Sequence, residues 1–276
     1  SRYYIITALS EIMHLALGQV PTTLGNVGEN LKSIEKAIEE AINKSEKNID
    51  LIAFPELFIS GYNLRDNYHS VSELIPSSDT AQEGLLILAK KYDITILTGI
   101  VERSNNSLFN SAIMIGPEGY LGHCRKQYLP NFGPFEEKTY FGEGNGINIF
   151  KTKFGSIGVQ ICYDLFFPDV SMELAQKGAD IIINLAASPT TSRPLFHRVL
   201  PARAIETTCY YAFVNNVGTQ GNLVFAGESC ILDPRGKIIG KIDKFDEGVL
   251  TCEIPLENVQ KYRDARPVLR DSMNRD

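Results

Sequence analysis

The chain has 276 residues, of which 43% are hydrophobic and 22% charged, and its formal net charge is −6. Such a composition is typical of a globular protein with a sizeable core and excludes collagen-like and low-complexity proteins. Lys and Arg do not cluster along the sequence, which argues against a nucleic-acid partner. The sequence also has no apolar run of 18 residues that could span a membrane.

The cysteines are odd in number, scattered, and free of C-x-x-C or Cys/His metal spacing. They are Cys124, Cys162, Cys209, Cys230 and Cys252. This pattern favours a reducing, cytoplasmic compartment and gives no reason to expect a metal or another cofactor. We interpret four of the five as thiols of the hydrophobic core.

The first twelve residues lack the basic start and the small-residue cleavage site of a signal peptide. Met13 follows them directly and precedes the first convincing strand. We therefore expect residues 1–12 to be an extension or an expression remnant. No linker, repeat or low-complexity tract interrupts the rest, so residues 13–276 are expected to form one domain.

The first half of this domain predicts alternating strands and helices. Asn26 with Glu29 forms a candidate capping box for a helix that ends by Asn48, and Thr80 with Glu83 forms another for a helix reaching Tyr92. The predicted strands are His14–Val20, Leu51–Phe54, Ile94–Val101, Ser111–Ile115 and Tyr120–Lys126.

The second half begins with an irregular segment, Gln127–Gly146, of a length usually found in functional loops. Gly178 should end a helix that starts at Pro168, and Pro201 should kink a helix that starts at Pro194. The strands expected here are Ile157–Ile161, Ala179–Ala187, Tyr210–Val217, Glu228–Leu232, Lys237–Ile242 and Val249–Ile254. About a dozen strands with few helices indicate an α/β protein with two sheets and helices outside them.

Cys162 follows a strand of alternating apolar residues and precedes the helix opened by Pro168. Ligands bind beyond the carboxyl ends of strands in α/β proteins, and the N-terminus of a helix favours a thiolate. Cys162 is thus a candidate nucleophile. The alternative, a small buried core residue, is the commoner role of a single cysteine.

Three charged residues share the placement of Cys162 at strand ends or in the adjoining loop. Glu56 directly follows a buried strand and a proline, where an unpaired carboxylate is costly. Lys126 ends a strand, and Glu137 lies in the long loop. Each has a structural alternative as an ion pair or a solvated surface charge.

Four motifs carrying these residues occur in the order seen in the nitrilase, or carbon-nitrogen hydrolase, superfamily, which the chain resembles from Met13 to about Ile254. They are PELFISGY (55–62), RKQYLP (125–130), EKTYF (137–141) and CYDLFFPD (162–169), followed by ARAIE (202–206) and GESCILDPRGKII (227–239). The resemblance implies a four-layer αββα sandwich with two mixed sheets. It also implies a homodimer or a larger homo-oligomer, and we expect the C-terminal segment, residues 255–276, to contribute to it.

The resemblance also implies roles for the four polar residues. Cys162 would be the nucleophile, Glu56 the general base and acid, Lys126 the cation facing the tetrahedral intermediate, and Glu137 a second carboxylate orienting the substrate or Lys126. The implied reaction cleaves a non-peptide C–N bond of a small amide through a cysteine thioester and releases ammonia or an amine. We expect the oxyanion and substrate contacts to come from Tyr163, Tyr62, Phe166 and Ser188.

The residues after the nucleophile narrow the substrate class. Tyr163-Asp164 resembles the amidase and carbamoyl-hydrolase branches, whereas true nitrilases usually have Trp-Glu there. Leu165-Phe166-Phe167 lacks the arginine with which N-carbamoyl amino acid hydrolases bind a carboxylate. We therefore predict neutral or apolar substrates, unless Arg193 or Arg198 supplies the missing cation.

Other functions are open at this stage. N-carbamoyl compounds or nitriles are alternative substrates, and a glutaminase unit feeding ammonia to a partner is suggested by NFGPFEEKTYF (131–141). A non-catalytic scaffold on the same fold is an alternative of a different class. A Cys-His enzyme is disfavoured, because His14, His69, His123 and His197 lie in no local signature of such enzymes.

Overall fold

The structure is a computed structural model that describes residues 12–147 and 149–274. The extension expected at residues 1–12 therefore lies outside the described residues except for its last member. Ile12 is the first residue of a strand, so that member of the expected extension belongs to the domain.

The described residues form fourteen strands and seven α-helices. The strands are β1 (Ile12–Gln19), β2 (Leu51–Ala53), β3 (Thr95–Ser104), β4 (Ser107–Gly116), β5 (Gly119–Arg125), β6 (Ile149–Thr152), β7 (Gly155–Ile161), β8 (Ile181–Ala186), β9 (Tyr210–Asn215), β10 (Val217–Gln220), β11 (Leu223–Ala226), β12 (Cys230–Leu232), β13 (Ile238–Lys241) and β14 (Gly248–Pro255). The helices are α1 (Val27–Lys44), α2 (Thr80–Tyr92), α3 (Glu137–Tyr140), α4 (Pro168–Gln176), α5 (Arg193–Thr207), α6 (Val259–Ala265) and α7 (Val268–Met273).

Two six-stranded mixed sheets form the centre of the molecule. The first has the order β14-β1-β2-β3-β4-β5 and the second β13-β12-β9-β8-β7-β6. The neighbours β1, β2 and β3 are parallel, as are β7, β8 and β9, and the outer pairs are antiparallel. Because β5 is antiparallel to β4 and β4 to β3, strands β2, β3 and β5 end at the same edge of the first sheet.

The layers follow from where the apolar side chains are buried. One core cluster joins α1 and α2 to the outer face of the first sheet, with Ile34 and Leu85 among its fully buried members. Another joins the inner faces of the two sheets and continues to α4 and α5, through Leu15, Ile157 and Leu200. The expected four-layer αββα sandwich is confirmed.

The local signals act largely as expected. The Asn26 side chain accepts a hydrogen bond from the Glu29 N–H and caps α1. Gly178, at a φ of 100°, follows α4 and provides the left-handed turn that ends this helix. β8 is buried along its whole length, as its run of apolar residues predicts.

Several local predictions were wrong or incomplete. Asp79 rather than Thr80 precedes α2, and the Glu73 carboxylate accepts the N–H groups of Ala81 and Gln82 in place of the expected capping box. The long loop contains the single-turn helix α3, and Pro201 lies within α5, which runs unbroken. Strands β6, β10 and β11 were not predicted.

The C-terminal segment packs on its own chain. Leu256, Val259 and Leu269 are buried in the core cluster between the sheets and helices. Across the described part of the chain, none of the helices combines the length and the apolar character needed to cross a membrane.

Candidate active site

Glu56 is the first charged residue of the site and lies three positions beyond the end of β2. Its side chain is completely buried. The chain crosses β3 very closely here, because a Cβ atom on Gly99 would lie 2.7 Å from the Glu56 carbonyl carbon. Glycine at position 99 therefore leaves room for the backbone of Glu56 to pass this close to β3.

Lys126 follows β5 and connects two carboxylates. Its Nζ donates to Glu56 Oε1 at 2.6 Å and to Glu137 Oε1 at 2.7 Å, and the residue has no exposed surface. Burial alone would lower the pKa of Lys126, but the charges of Glu137 and Glu56 outweigh it and raise that pKa above its usual value. The ammonium is therefore charged at neutral pH.

Glu137 begins the one-turn helix α3 and is 4% exposed. Its Oε1 accepts from Lys126 and, at 2.6 Å, from the hydroxyl of Tyr62. Its Oε2 is buried without a hydrogen-bond partner among the described residues. Burial raises the pKa of Glu137 to about 7, since the attraction of Lys126 does not compensate for the lost hydration and the repulsion from Glu56.

Cys162 follows β7 and has a φ of 47°, a left-handed conformation that is uncommon for a side chain of this kind. The backbone N–H of Ala187, just beyond β8, donates to Glu56 Oε2 at 2.8 Å and also lies within hydrogen-bonding reach of the Cys162 thiol. Glu56, Lys126 and Cys162 thus converge at one point between the two sheets.

The expectation that a helix terminus favours a thiolate at Cys162 was wrong for this state of the protein. Burial, and next the charge of Glu56, raise the pKa of Cys162 well above its usual value, although Lys126 acts in the opposite direction. The residues that follow form only a short 3₁₀ helix, Cys162–Phe166, and α4 starts later, at Pro168. Burial and the charge of Glu56 thus favour the neutral thiol over the thiolate at Cys162.

A cavity of about 250 Å³ opens above Cys162 and Glu137. Its walls are mainly aromatic and aliphatic, and no arginine, lysine or histidine is among the described residues that line it. The lining residues are Tyr62, Pro130, Phe132, Phe135, Glu137, Cys162, Tyr163, Phe166, Ala187, Ser188, Pro189, Ser192, Leu195 and Phe196. Glu56 and Lys126 lie beneath this surface, fully buried.

The four residues predicted to contact the substrate all line this cavity: Tyr62, Tyr163, Phe166 and Ser188. The two arginines considered as substitutes for a missing cation do not. Arg193 forms an ion pair with the buried Glu228, and Arg198 is exposed on α5. The cavity therefore has no positively charged group on its described walls.

Two polar residues of the site were not recognised as such from the sequence. Asn110 on β4 donates to Glu56 Oε1 at 2.7 Å. Asp164, considered only as a marker of substrate class, accepts the backbone N–H groups of Gln127, Tyr128 and Ile161. Asp164 thereby ties the loop after Lys126 to the turn of Cys162. Its position two residues after Cys162 was the available signal.

The histidines lie elsewhere. His14 is 3.8 Å from Glu253, His123 is 3.6 Å from Glu102, and His197 is 3.6 Å from Glu228, while His69 is exposed. Within residues 12–147 and 149–274, no group of three or more His, Cys, Asp or Glu side chains could hold a metal ion.

Comparison with known proteins agrees with this geometry. A family model described as carbon-nitrogen hydrolase matches residues 14–264. A nitrilase of Pyrococcus abyssi is 33% identical over 248 residues, which is 88% of this chain and 90% of the relative. A 2-oxoglutaramate amidase of Bacillus subtilis is 31% identical over 92% of this chain and 95% of its own length.

A solved structure shows the same similarity in three dimensions. The crystal structure of Saccharomyces cerevisiae Nit3, described as a member of branch 10 of the nitrilase superfamily, superposes with a TM-score of 0.83 at 27% identity. The match covers 93% of this chain and 95% of that one. The chain therefore belongs to the carbon-nitrogen hydrolase family, the nitrilase superfamily.

Proposed function

We propose that the chain hydrolyses small neutral amides through a thioester on Cys162, releasing ammonia or an amine and a carboxylic acid. The observation that carries this proposal is the position of Lys126 Nζ, at 2.6 Å from Glu56 and 2.7 Å from Glu137, beneath the cavity that opens at Cys162. Membership of a family of C–N hydrolases supports the same reaction class.

In the first half-reaction Glu56 takes the proton of the Cys162 thiol as the sulfur attacks the amide carbon. Burial and Glu56 raise the pKa of the Cys162 thiol, so the proposed mechanism couples proton transfer to attack, and a buried carboxylate beside the sulfur suits that step. Lys126 and the backbone N–H of Tyr163 would hold the negative oxygen of the tetrahedral intermediate. Glu56 then gives the proton to the departing nitrogen, and the C–N bond breaks.

In the second half-reaction water attacks the thioester carbon while Glu56 accepts a proton from it. The C–S bond breaks, the proton returns to the sulfur, and the acid leaves. One residue thus acts alternately as base and acid, a role usually worth a factor of about 10² to 10⁴ in rate. In the resting site Glu137 and Glu56 raise the pKa of Lys126, so a cation is in place before the tetrahedral intermediate forms.

Glu137 would position both Lys126 and the substrate. Its Oε1 is occupied by Lys126 and Tyr62, whereas its Oε2 has no partner among the described residues and belongs to a side chain that lines the cavity. An N–H group of the amide is the complementary donor for that oxygen. This contact would favour an amide over a nitrile, which has no N–H to offer.

The walls of the cavity support a neutral acyl group. A carboxylate on the substrate would be desolvated among aromatic side chains without a cation, because Arg193 is held by Glu228 and Arg198 is exposed. N-carbamoyl amino acids, which carry such a carboxylate, are therefore disfavoured. Short aliphatic or aromatic primary amides fit the available volume of about 250 Å³.

Ammonia release provides the test. We expect hydrolysis of neutral primary amides at a kcat/KM at least about tenfold above that for N-carbamoyl amino acids and for nitriles with the same acyl group. Intact-mass measurement during turnover should detect acylated wild-type protein, and Cys162→Ala should show neither the adduct nor ammonia release. Faster cleavage of the charged substrates would contradict the neutral class.

The scaffold alternative makes the opposite prediction. If the wild type and Cys162→Ala were equally inert toward every amide, nitrile and carbamoyl compound in the panel, the proposed reaction would be wrong. Binding of an amide to Cys162→Ala without turnover by the wild type would then favour a non-catalytic protein.

Three further proposals concern the whole molecule. We propose that residues 13–276 act as one domain, that the chain assembles as a homo-oligomer with help from residues 255–276, and that it works in the cytoplasm. The five cysteines are all free, which suits a reducing compartment. Light scattering of the full chain tests assembly, because a monomeric mass at micromolar concentration would contradict the second proposal.

A further inference from the structure

The two carboxylate oxygens of Glu56 accept different numbers of hydrogen bonds. Oε1 accepts from Lys126 Nζ at 2.6 Å and from Asn110 Nδ2 at 2.7 Å. Among the described residues, Oε2 accepts only the backbone N–H of Ala187, at 2.8 Å. Each carboxylate oxygen has about two acceptor sites. Oε1 is therefore fully occupied, and the acceptor site that is left lies on Oε2.

Oε2 is also the oxygen on the side of the sulfur. The N–H of Ala187 that donates to Oε2 lies within hydrogen-bonding reach of the Cys162 thiol as well. Two acceptors within reach of one donor lie close to each other. Oε1 is held by Asn110 on β4 and by Lys126, which follows β5, so it belongs to the side of the first sheet.

Asn110 is fixed by its place in the sheet. It lies within β4 opposite Val101 on β3 and is 1% exposed. Its backbone carbonyl accepts the Lys126 N–H at 2.8 Å. Asn110 thus holds Glu56 through its side chain and Lys126 through its backbone, and both are oriented before a substrate enters.

An amide suits this position because it donates without exchanging a proton. The Asn side chain carries two N–H donors and is not among the groups that titrate in proteins. Asn110 can therefore occupy Oε1 without competing for the proton of Cys162. A hydrogen bond to a charged acceptor is also stronger than one between neutral groups.

We infer that Asn110 is a positioning residue for Glu56, which together with Lys126 occupies Oε1 and directs the proton of Cys162 to Oε2. The inference rests on the proposed function and deepens it. The S–H bond breaks, an O–H bond forms at Oε2, and the sulfur bonds to the amide carbon. The same proton then passes from Oε2 to the departing nitrogen as the C–N bond breaks.

Alkylation of Cys162 by iodoacetamide tests the inference without amide turnover. Intact mass gives the rate per folded molecule, and Cys162→Ala gives the background from the other cysteines. Asn110→Leu removes the donor and keeps water out of the vacated space. We expect its rate at pH 7 to be about ten- to a hundredfold below that of the wild type, the usual effect of one hydrogen bond to a charged group. Asn110→Ala should change the rate in the same direction and serves if the Leu variant does not fold.

The pH profile distinguishes positioning from a general loss of structure. Loss of a hydrogen bond to a carboxylate favours its protonated form, so the acidic limb of the alkylation rate should move to higher pH in both variants. A purely structural loss lowers the rate by the same factor at every pH, and that result in both variants would overturn the inference. The titratable groups that face Glu56 are the same in all three proteins: Tyr62, Tyr68, Lys126, Glu137 and Cys162.

Amide turnover gives a second measurement. Asn110 is not among the described residues that line the cavity. In both variants KM should therefore stay within about threefold of the wild type, while kcat falls by about the same factor as the alkylation rate. A higher KM with an unchanged kcat would place Asn110 in substrate binding and overturn the inference.

Ser111→Ala is the matched control. Ser111 is the next residue on β4, is fully buried, and donates from Oγ to the buried Glu102 on β3 at 2.6 Å. The substitution removes a neutral donor from a buried carboxylate outside the site. It should lower the free energy of unfolding and leave the pH profile of alkylation unchanged. A shift of that profile equal to the shift in the Asn110 variants would overturn the specific role of Asn110.

The inference and the proposed function fail in different ways. Amide hydrolysis with the same kcat and the same alkylation profile in the wild type and both Asn110 variants would overturn the role of Asn110 alone. No ammonia from any amide, together with an alkylation profile that shifts in the Asn110 variants, would overturn the proposed reaction and support the role of Asn110 in deprotonating the thiol.

Discussion

Two consecutive cations at the end of β5 enter two very different carboxylate clusters. Arg125 joins Glu102, and Lys126 joins Glu56 and Glu137. All three acids are buried or nearly so, with exposed fractions of 2%, 0% and 4%. Yet the pKa of Glu102 is lowered to about 2 while that of Glu137 is raised to about 7.

The difference lies in how many donors each carboxylate has. Both oxygens of Glu102 lie 3.0 Å from Arg125 Nε, and Ser111 Oγ donates at 2.6 Å. Burial alone would raise the pKa of Glu102, but hydrogen bonds from His123, Arg125 and Ser111 outweigh it. In the other cluster one ammonium serves two carboxylates, and Glu137 keeps an oxygen without a described partner.

A buried ion pair stabilises a fold when all of its polar atoms are hydrogen-bonded. A buried ion pair that keeps an unpaired polar atom can still bind a substrate or exchange a proton. The two clusters are neighbours in the chain, so the contrast cannot reflect a general property of this region. It predicts that equivalent substitutions in the two clusters will separate stability from activity.

The largest difference is expected between Lys126→Met and Arg125→Met. Loss of one oxyanion donor typically costs about 10² to 10³ in rate, and Lys126→Met also leaves Glu56 and Glu137 without their cation. We expect amide turnover to fall by at least about a thousandfold. Arg125→Met should lower the free energy of unfolding and keep turnover within about tenfold of the wild type, measured per folded molecule. Equal losses of turnover would contradict this contrast.

The next difference concerns the acids themselves. Glu102→Gln should lower the free energy of unfolding by roughly 2–3 kcal/mol, because it weakens a buried, multiply bonded pair. Glu137→Gln should leave stability at pH 8 unchanged or higher while lowering kcat/KM by about a hundredfold, since it removes an acceptor for the substrate and for Lys126. Urea unfolding combined with ammonia-release kinetics measures both quantities.

Glu102→Gln and Glu137→Gln each serve as the control for the other. If Glu137→Gln destabilised the protein as much as Glu102→Gln and turned over substrate normally, the second cluster would be structural. Neither substitution changes the side-chain volume appreciably, so the comparison isolates charge and hydrogen bonding.

The smallest effect is a difference in pH dependence. Between about pH 4.5 and 7, folded Glu137 retains a proton that the unfolded chain has released, so the wild type should lose stability relative to Glu137→Gln as the pH rises. The lowered pKa of Glu102 makes stability change with pH in the opposite direction. The stability advantage of the wild type over Glu102→Gln should be complete above about pH 4.5 and shrink as the pH falls toward 2. Slopes of the same sign in both comparisons would contradict the assignment.

Sequence patterns predicted the fold and the position of the four polar residues because both depend on short-range signals. An apolar strand followed by a proline and an acid predicted Glu56 at a strand end. The ends of the next predicted strands likewise gave the positions of Lys126 and Cys162. Strands that run parallel end at one edge, so convergence followed from topology. The family motifs then supplied the expected roles.

Contacts between distant parts of the chain were not predictable in this way. The Glu102 cluster depends on the antiparallel register that brings Ser111 and Arg125 side by side on adjacent strands. Capture of Arg193 by Glu228 joins residues 35 positions apart, and it removes a cation that the sequence leaves available for a substrate.

The residues of the proposed reaction come from both sheets: Glu56 and Lys126 follow strands of the first, and Cys162 and Ala187 follow strands of the second. Neither half of the molecule alone carries both the sulfur and its proton acceptor. A chain whose halves have formed separately but have not yet docked should be inert. The rate at which turnover returns after dilution from denaturant therefore measures how fast the two halves dock.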